Sequence, residues 1–333
     1  MGTFTFTPIW VVQDVLVLGL AVATALYIVK REEHPVPVLL EMVCFVFLYA
    51  AVYENFATLM GWYGYGRSLV MVFNVPLSVP VVEYLVVWAT LRLASRMEMP
   101  GWSRPFVAGL SGMLFDFTLD PLAIRQVFTT AEGTIGRWSW FPGPGDVTLY
   151  AEPVYNFSGW VLLCGYAAAY FLLGRWWHRR SGYRPLVGYL YPILAMLLAL
   201  GTMVSPLSRF LLWLYPFLDK GSIGEWIMLA VHLAVPALLL ALVWRGRMKS
   251  RLSWRDEWPV PAILVGAPIV HFVFTLAGGH WDVLWLVAAS TALLGGMVIA
   301  LFAWSNRAPL PVRRRAASRP VPRYPSALKA KHP

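Results

Sequence analysis

Two aspartates four residues apart are the most chemically suggestive feature of the sequence. Asp116 and Asp120 lie in the apolar run FDFTLDP, and on a helix residues at this spacing are neighbours on one face. Two partly desolvated carboxylates this close cannot both ionise cheaply, so we expect one to hold its proton near neutral pH, as a general acid must. The alternative is a pair that only hydrogen-bonds across helices. Pro121 follows directly and predicts that the helix kinks or ends at Asp120.

Other acidic and amide side chains accompany this pair in the outer half of the predicted membrane helices, where such groups are costly and by default functional. Counting 1.5 Å per residue places Asp120 roughly 6 Å and Asp116 roughly 12 Å below the outer surface. The inner half offers mainly Glu41. These positions predict a polar pocket that opens toward the outer face. Its further members are Gln13, Asp14, Glu54, Asn55, Glu83 and Asn156.

The composition restricts the class of protein that carries these groups. The chain has 333 residues, of which 59% are apolar and 13% charged, and its mean hydropathy is +0.61. Globular domains are about 45–50% apolar and about 25% charged, so a soluble enzyme is excluded. At about 20 apolar residues per crossing, the chain has room for eight or nine transmembrane helices. We therefore predict an all-α, polytopic integral membrane helix bundle.

The apolar runs and the basic residues together define the topology. With nine crossings, 22 of the 27 Lys and Arg residues fall on one side and five on the other. Because cytoplasmic loops collect positive charge, the N-terminus is predicted outside and the C-terminus inside. The same asymmetry explains the net charge of +10 without nucleic acid as a partner. The predicted helices lie near residues 9–29, 36–60, 76–95, 105–122, 154–174, 186–204, 223–244, 260–277 and 282–304.

The regions outside these helices include a long outer loop and a basic tail. Residues 125–153 form the longest non-helical stretch, and their aromatic and acidic character is typical of a functional loop. Residues 307–333 are basic and Pro-rich, which predicts a disordered cytoplasmic tail attracted to anionic lipid after a transmembrane domain over 1–306. The N-terminus carries no positive charge before its first apolar run, so we expect the first helix to be retained.

Aromatic side chains beside the acids have two interpretations. They fit an interfacial belt, or a surface that stabilises a cation by about 0.5–2 kcal/mol per ring when water is excluded. These residues are Tyr63, Tyr65, Trp138, Trp140 and Trp160. His232 and His271 are single imidazoles on different helices, so we interpret them as core residues and predict neither a metal site nor a cofactor. A magnesium–diphosphate site at Asp116 and Asp120 is disfavoured, because few outer Lys or Arg residues are present to bind phosphate.

A resemblance to a known family rests on several short motifs within residues 40–175. They are YENFATLMGWYGYG, VPVVEYLVVW, FDFTLDPLAI, GRWSW and YAEPVYNFSGW. In the spaced series Asp-x-x-x-Asp-Pro, Trp-x-Trp and Pro-x-x-Asn-Phe-x-Gly-Trp, the chain resembles the bacterial and archaeal carotenoid biosynthesis membrane proteins of the carotenoid hydratase (CruF-like) type. One departure is Ala151, Glu152, Pro153 where the family pattern has Gly-Val-Pro, so an extra carboxylate enters the site region.

The resemblance implies cofactor-independent addition of water to the terminal double bond of an acyclic carotenoid end group, giving a tertiary alcohol. This chemistry needs an acid, surroundings that tolerate a tertiary cation, and a positioned water. We expect Asp116 or Asp120 to donate the proton, and tryptophans to flank the cation. The expected catalytic residues are Asp116, Asp120, Glu54, Asn156 and Glu83. The expected substrate contacts are Asn55, Tyr63, Tyr65, Trp88, Trp138, Trp140, Glu152 and Trp160. The carotenoid would enter sideways from the lipid of a bacterial or archaeal membrane.

Two other functions fit the same residues. A carotenoid end-group cyclase uses the same protonation but lets a neighbouring double bond capture the cation, so it must exclude water. A non-catalytic lipid or carotenoid carrier would use the acids only to line a pathway. A carboxylate-rich pocket open to the outer side favours hydration over cyclisation, and the carrier predicts binding of pigment without chemical change.

Overall fold

The structure is a computed structural model, and it describes residues 8–130, 133–213, 223–244 and 252–307. Within these ranges nine helices are long and apolar enough to cross a membrane, which confirms the predicted polytopic bundle. One further helix, α7, has only 8 residues and is too short to cross a membrane. The helices are α1 (Pro8–Arg31), α2 (Pro35–Leu59), α3 (Ser78–Arg96), α4 (Arg104–Arg125), α5 (Val154–Arg180), α6 (Pro185–Met203), α7 (Pro206–Trp213), α8 (Ile223–Trp244), α9 (Pro259–Ala277) and α10 (Trp281–Arg307).

Two of the helices that carry candidate acids lie at the centre of the bundle. In α3 and α4, 89% of the residues in the most apolar 18-residue window are buried, against 22% in α1 and 28% in α8. Helix α5 packs closely on α4, because Gly109 and Gly112 leave room for its backbone. A Cβ atom at Gly112 would lie 2.5 Å from Sγ of Cys164. This close approach brings the start of α5 against the acidic face of α4.

The outer ends of the helices are joined by short antiparallel strand pairs, which we call the outer cap. The cap occupies two connections, from α2 to α3 and from α4 to α5. The second connection is the long loop that the sequence marks as functional. The strands are β1 (Tyr63–Tyr65), β2 (Met71–Val72), β3 (Val75–Pro76), β4 (Val127–Thr130), β5 (Gly133–Gly136), β6 (Trp138–Trp140), β7 (Thr148–Leu149) and β8 (Glu152–Pro153). They pair as β1 with β6, β2 with β3, β4 with β5 and β7 with β8.

The sequence predicted that α4 either kinks or ends at Asp120. The helix does not end at Asp120 but continues past Pro121 to Arg125. A proline removes one backbone N–H donor and leaves the carbonyl of Phe117 without its helical partner. Packing against neighbouring helices is enough to carry the helix through such a position. Both aspartates therefore project from one continuous helix.

An ion pair fixes the outer cap to the helix bundle. Asp14 on α1 accepts hydrogen bonds from Oγ of Ser78 at 2.7 Å and from Ser68, and a guanidinium nitrogen of Arg137 lies 3.3 Å from it. Burial lowers the pKa of Arg137 to about 10, a value at which it still carries its charge at neutral pH. Asp14 is therefore a structural anchor of the cap and not one of the pocket acids.

The predicted tail over 307–333 lies outside the described residues, except for Arg307 at the end of α10. The assignment of the cap to the outer side follows from the charge distribution.

Candidate active site

Three carboxyl groups meet at the outer end of α4. Asp116 and Asp120 come from adjacent turns of α4, and Glu152 comes from β8, just before α5. All three side chains are fully buried. One oxygen from each lies within 4.8 Å of the others. The structure thus brings the predicted aspartate pair together with the extra carboxylate of the sequence, and we call these residues the acid triad.

Asn156 connects the acid triad. It lies one turn after Glu152, and its Nδ2 group is 2.5 Å from Glu152 Oε1, 3.1 Å from Asp120 Oδ2 and 3.4 Å from Asp116 Oδ2. The second oxygen of each acid has no hydrogen-bond partner among the described residues. Burial and the neighbouring Asp120 raise the pKa of Glu152 well above its usual range. Glu152 therefore holds a proton more readily than an exposed glutamate does, and each acid of the triad has one oxygen available for proton exchange.

The donor set of the triad fits shared protons better than a cation. Three carboxylates this close could supply oxygen ligands to a divalent ion. However, Asn156 directs an N–H group into the same space and satisfies one oxygen of each acid. An amide nitrogen is a donor and does not ligate a cation. The geometry therefore favours acid–base chemistry at this position.

Glu54 forms a second acidic centre, held by two tyrosines. Its Oε2 accepts a hydrogen bond from the hydroxyl of Tyr63 at 2.8 Å and another from Tyr65. Strand β1 makes this possible, because alternate residues of a strand face the same side. Burial and the Glu54 carboxylate raise the pKa of both tyrosines well above the usual range, so both remain donors. The sequence suggested cation stabilisation for these rings and missed their role as donors.

The tryptophans of β6 pack on these tyrosines. Strand pairing sets Tyr63 opposite Trp140 and Tyr65 opposite Trp138, with ring centroids 4.4 Å and 4.9 Å apart. The two indoles are nearly parallel, 6.2 Å apart at 17°. Both are at least 91% buried, so they line an aromatic cage and are not part of an exposed belt. The alternation Tyr-x-Tyr and Trp-x-Trp is the sequence signal for this pairing.

Glu83 lies between the two acidic centres. It projects from the middle of the bundle on α3, is 1% exposed, and its Oε2 has no hydrogen-bond partner within the described part of the chain. It is close enough to both Glu54 and Asp120 for their charges to interact. The predicted catalytic residues on four different elements therefore form one buried site.

Three predicted contacts are not brought to this site. Asn55 binds the β2–β3 hairpin. Its amide N–H group donates to the carbonyl of Val72 and to that of Ala51 on its own helix, and its amide oxygen accepts from the backbone N–H of Asn74. Trp88 packs on Tyr27 in the inner half of the bundle.

Trp160, the third of these residues, is buried in the main core. It makes no ring contact with Trp138 or Trp140 within the described residues. His271, interpreted as a core residue, bonds Thr118 Oγ1 at 2.9 Å and packs against Phe115.

A cavity of about 700 Å³ lies beside the site at the outer end of the bundle. Asn156, Tyr63 and Trp140 line this cavity, and Asn156 also contacts the acid triad, so the triad borders the cavity. Phe56 and Val204 line it as well and are 47% and 60% exposed. The charged residues Asp146 and Arg209 are part of its polar lining, so the cavity combines aromatic, apolar and charged surface.

A smaller cavity of about 40 Å³ lies under the outer cap, on the other side of Tyr65. Its lining includes Gln13, Ser78, Trp138 and His271. Gln13 Oε1 and Trp138 Nε1 are buried and have no hydrogen-bond partner in the described structure. Other lining residues are apolar, among them Val17, Val82 and Leu119. A space of this size has room for two or three water molecules beside the polar atoms.

Comparison with protein-family models, curated proteins and solved structures finds no match for this chain.

Proposed function

We propose that the chain is an intramembrane carotenoid hydratase, which adds water to the terminal double bond of an acyclic end group. The observation that carries the proposal is the acid triad, which is bridged by Asn156 and borders a cavity that Asn156, Tyr63 and Trp140 help to line. Protonation of an alkene needs a general acid placed next to it, and an apolar substrate has no charged group for the protein to bind. The choice of a carotenoid as the substrate rests on the resemblance described for the sequence.

The first step is proton transfer to the alkene. Asp116 or Asp120 gives its proton to the less substituted carbon of the terminal double bond, and the other carbon becomes a tertiary cation. Asn156 holds the remaining carboxyl oxygens in place, so the acids do not reorganise during the step. The faces of Trp138 and Trp140 stabilise the cation by about 0.5–2 kcal/mol each.

The second step is capture of the cation by water. The small cavity beside Tyr65 supplies the water, and the pair of tyrosines holds Glu54 in position to accept a proton from it. The oxygen bonds to the tertiary carbon and the proton passes to Glu54. Glu83, which interacts with both Glu54 and Asp120, returns the proton to the triad. The sum of the steps is one water added per double bond and no net change in the protein.

End-group cyclisation is the second candidate, and the buried, nearly parallel indoles favour it because such walls exclude water from the cation. It differs from hydration in one respect: the cation is captured by a neighbouring double bond. The small cavity beside Tyr65 favours hydration, since it has room for water next to a tyrosine that hydrogen-bonds Glu54.

The test is expression in a host that accumulates an acyclic carotenoid, followed by chromatography and mass spectrometry of the pigments. Hydration predicts a mass gain of one water per reacting end. An unchanged mass with altered retention would assign a cyclase, and bound but unchanged pigment would assign a carrier. Asp120→Asn is expected to abolish the mass gain while the protein stays folded, and Asn55→Leu is the control because Asn55 contacts the hairpin and not the acids.

A further inference from the structure

A second cleft lies at the inner end of the bundle, far from the acid triad. It has a volume of about 350 Å³ and lies between α1 and the segment that leads into α9. Its lining residues are Ala23, Leu26, Tyr27, Lys30, Arg31, Arg255 and Trp258. Because the inner ends of the helices collect most of the Lys and Arg residues, this cleft lies at the level of the cytoplasmic lipid headgroups.

The mouth of the cleft has an excess of positive charge. Arg31 pairs with Asp256 at 3.0 Å. Lys30 and Arg255 are exposed, and neither forms an ion pair with a described residue. The nearby buried Glu257 does not neutralise them, because it pairs with Arg92 at 2.8 Å. Two cations are therefore available to bind an anion from outside.

The floor of the cleft is rigid. The hydroxyl of Tyr27 donates to Glu257 at 3.0 Å and to the carbonyl of Asp256 at 2.7 Å. Trp258 packs edge-on against Tyr27, with ring centroids 6.2 Å apart. These contacts fix the segment that carries Arg255 against α1, so the backbone positions of Lys30 and Arg255 are set relative to each other before any ligand binds.

An apolar track leads from the cleft into the bilayer. Val22, Leu26 and Lys30 lie four residues apart and share one face of α1. Val22 and Leu26 are 62% and 55% exposed, and Leu26 also lines the cleft. Each interval of four residues advances about 6 Å along the helix. An anion at Lys30 that carries an acyl chain would therefore lay that chain along Leu26 and Val22.

We propose that this cleft binds one anionic phospholipid of the inner leaflet. The phosphate lies between Lys30 and Arg255, Trp258 covers the glycerol region, and an acyl chain follows Leu26 and Val22. Basic pockets beside transmembrane helices on the cytoplasmic side suit such headgroups. The apolar track distinguishes the lipid from a free phosphate ion, which would gain nothing from it. This site is independent of the proposed catalytic function.

Native mass spectrometry of the full chain in detergent, titrated with phosphatidylglycerol, tests the proposal. Lys30→Gln combined with Arg255→Gln is expected to weaken binding of the first lipid by about 30-fold, since each basic residue contributes about 1 kcal/mol. The control is Arg180→Gln with Arg184→Gln. It removes two exposed cations from the same side of the membrane and is expected to leave the first binding event unchanged.

Three results would overturn the proposal. Equal weakening in both double variants would indicate general attraction to the basic face, including any contribution from the tail. Equal affinity for phosphatidylcholine would remove the requirement for an anionic headgroup. Displacement of the bound lipid by excess inorganic phosphate would assign a free-anion site. Because all four substituted side chains are exposed, each variant is expected to keep the thermal stability of the parent chain.

Discussion

Replacing Asn156 by Leu is the sharpest perturbation of the candidate site. Leucine has the same number of side-chain heavy atoms and the same branching, but it has no hydrogen-bond donor. Asn156 makes two close contacts, at 2.5 Å and 3.1 Å, to Glu152 and Asp120. A hydrogen bond to a charged group is worth about 1.5–3 kcal/mol, and the bond to Asp120 gains this strength when Asp120 gives its proton to the alkene.

Since this energy acts on the transition state, kcat/KM should fall by about 10–200-fold in Asn156→Leu. The assay is the rate of alcohol formation by the purified protein, with the product separated by chromatography. The matched control is Asn55→Leu at a similar depth on α2. Because Asn55 holds the β2–β3 hairpin, its loss should lower the melting temperature and leave kcat within about threefold, since the catalytic groups stay in place. The reasoning is refuted if Asn156→Leu keeps more than about a tenth of wild-type activity, or if both variants lose activity equally.

Three further predictions concern the groups around the triad. Tyr65→Phe removes one donor to Glu54 and should lower the hydration rate by about tenfold, measured by the same assay, with little change in KM. Trp138→Leu removes one aromatic face, worth about 0.5–2 kcal/mol, and should slow product formation by about 2–30-fold at unchanged substrate binding. The raised pKa of Glu152 means that the folded state keeps a proton that the unfolded state loses as the pH rises above the ordinary glutamate range. Stability should therefore decline with rising pH until the folded group also ionises, and Glu152→Gln should flatten that decline in thermal unfolding; an unchanged slope would contradict it.

The features that sequence reasoning predicted correctly depend on local periodicity. The nine spans follow from apolar runs of bilayer length, and the proximity of Asp116 and Asp120 follows from helical spacing alone. Glu83 could be placed at site depth because its position is counted along a single helix.

The features it missed depend on contacts between distant segments. The pairing of Tyr63 with Trp140 joins strands of three residues that lie more than 70 positions apart, too short for a clear period of two. Asn55 was assigned to the pocket because its depth was correct, but its partners are backbone groups of a hairpin. Trp88 was assigned to the site because it shares a motif with Glu83. It lies five residues further along α3, which places it beside Tyr27 in the inner half of the bundle.

Incubation of the purified protein with an acyclic carotenoid in water labelled with heavy oxygen tests the proposed hydration. Acid-triad catalysis predicts an alcohol that contains one labelled oxygen for each reacted end, formed without an added cofactor. It also predicts that Asp116→Asn and Asp120→Asn variants, although folded, form none. Product without the label, or full activity in both aspartate variants, would contradict the account.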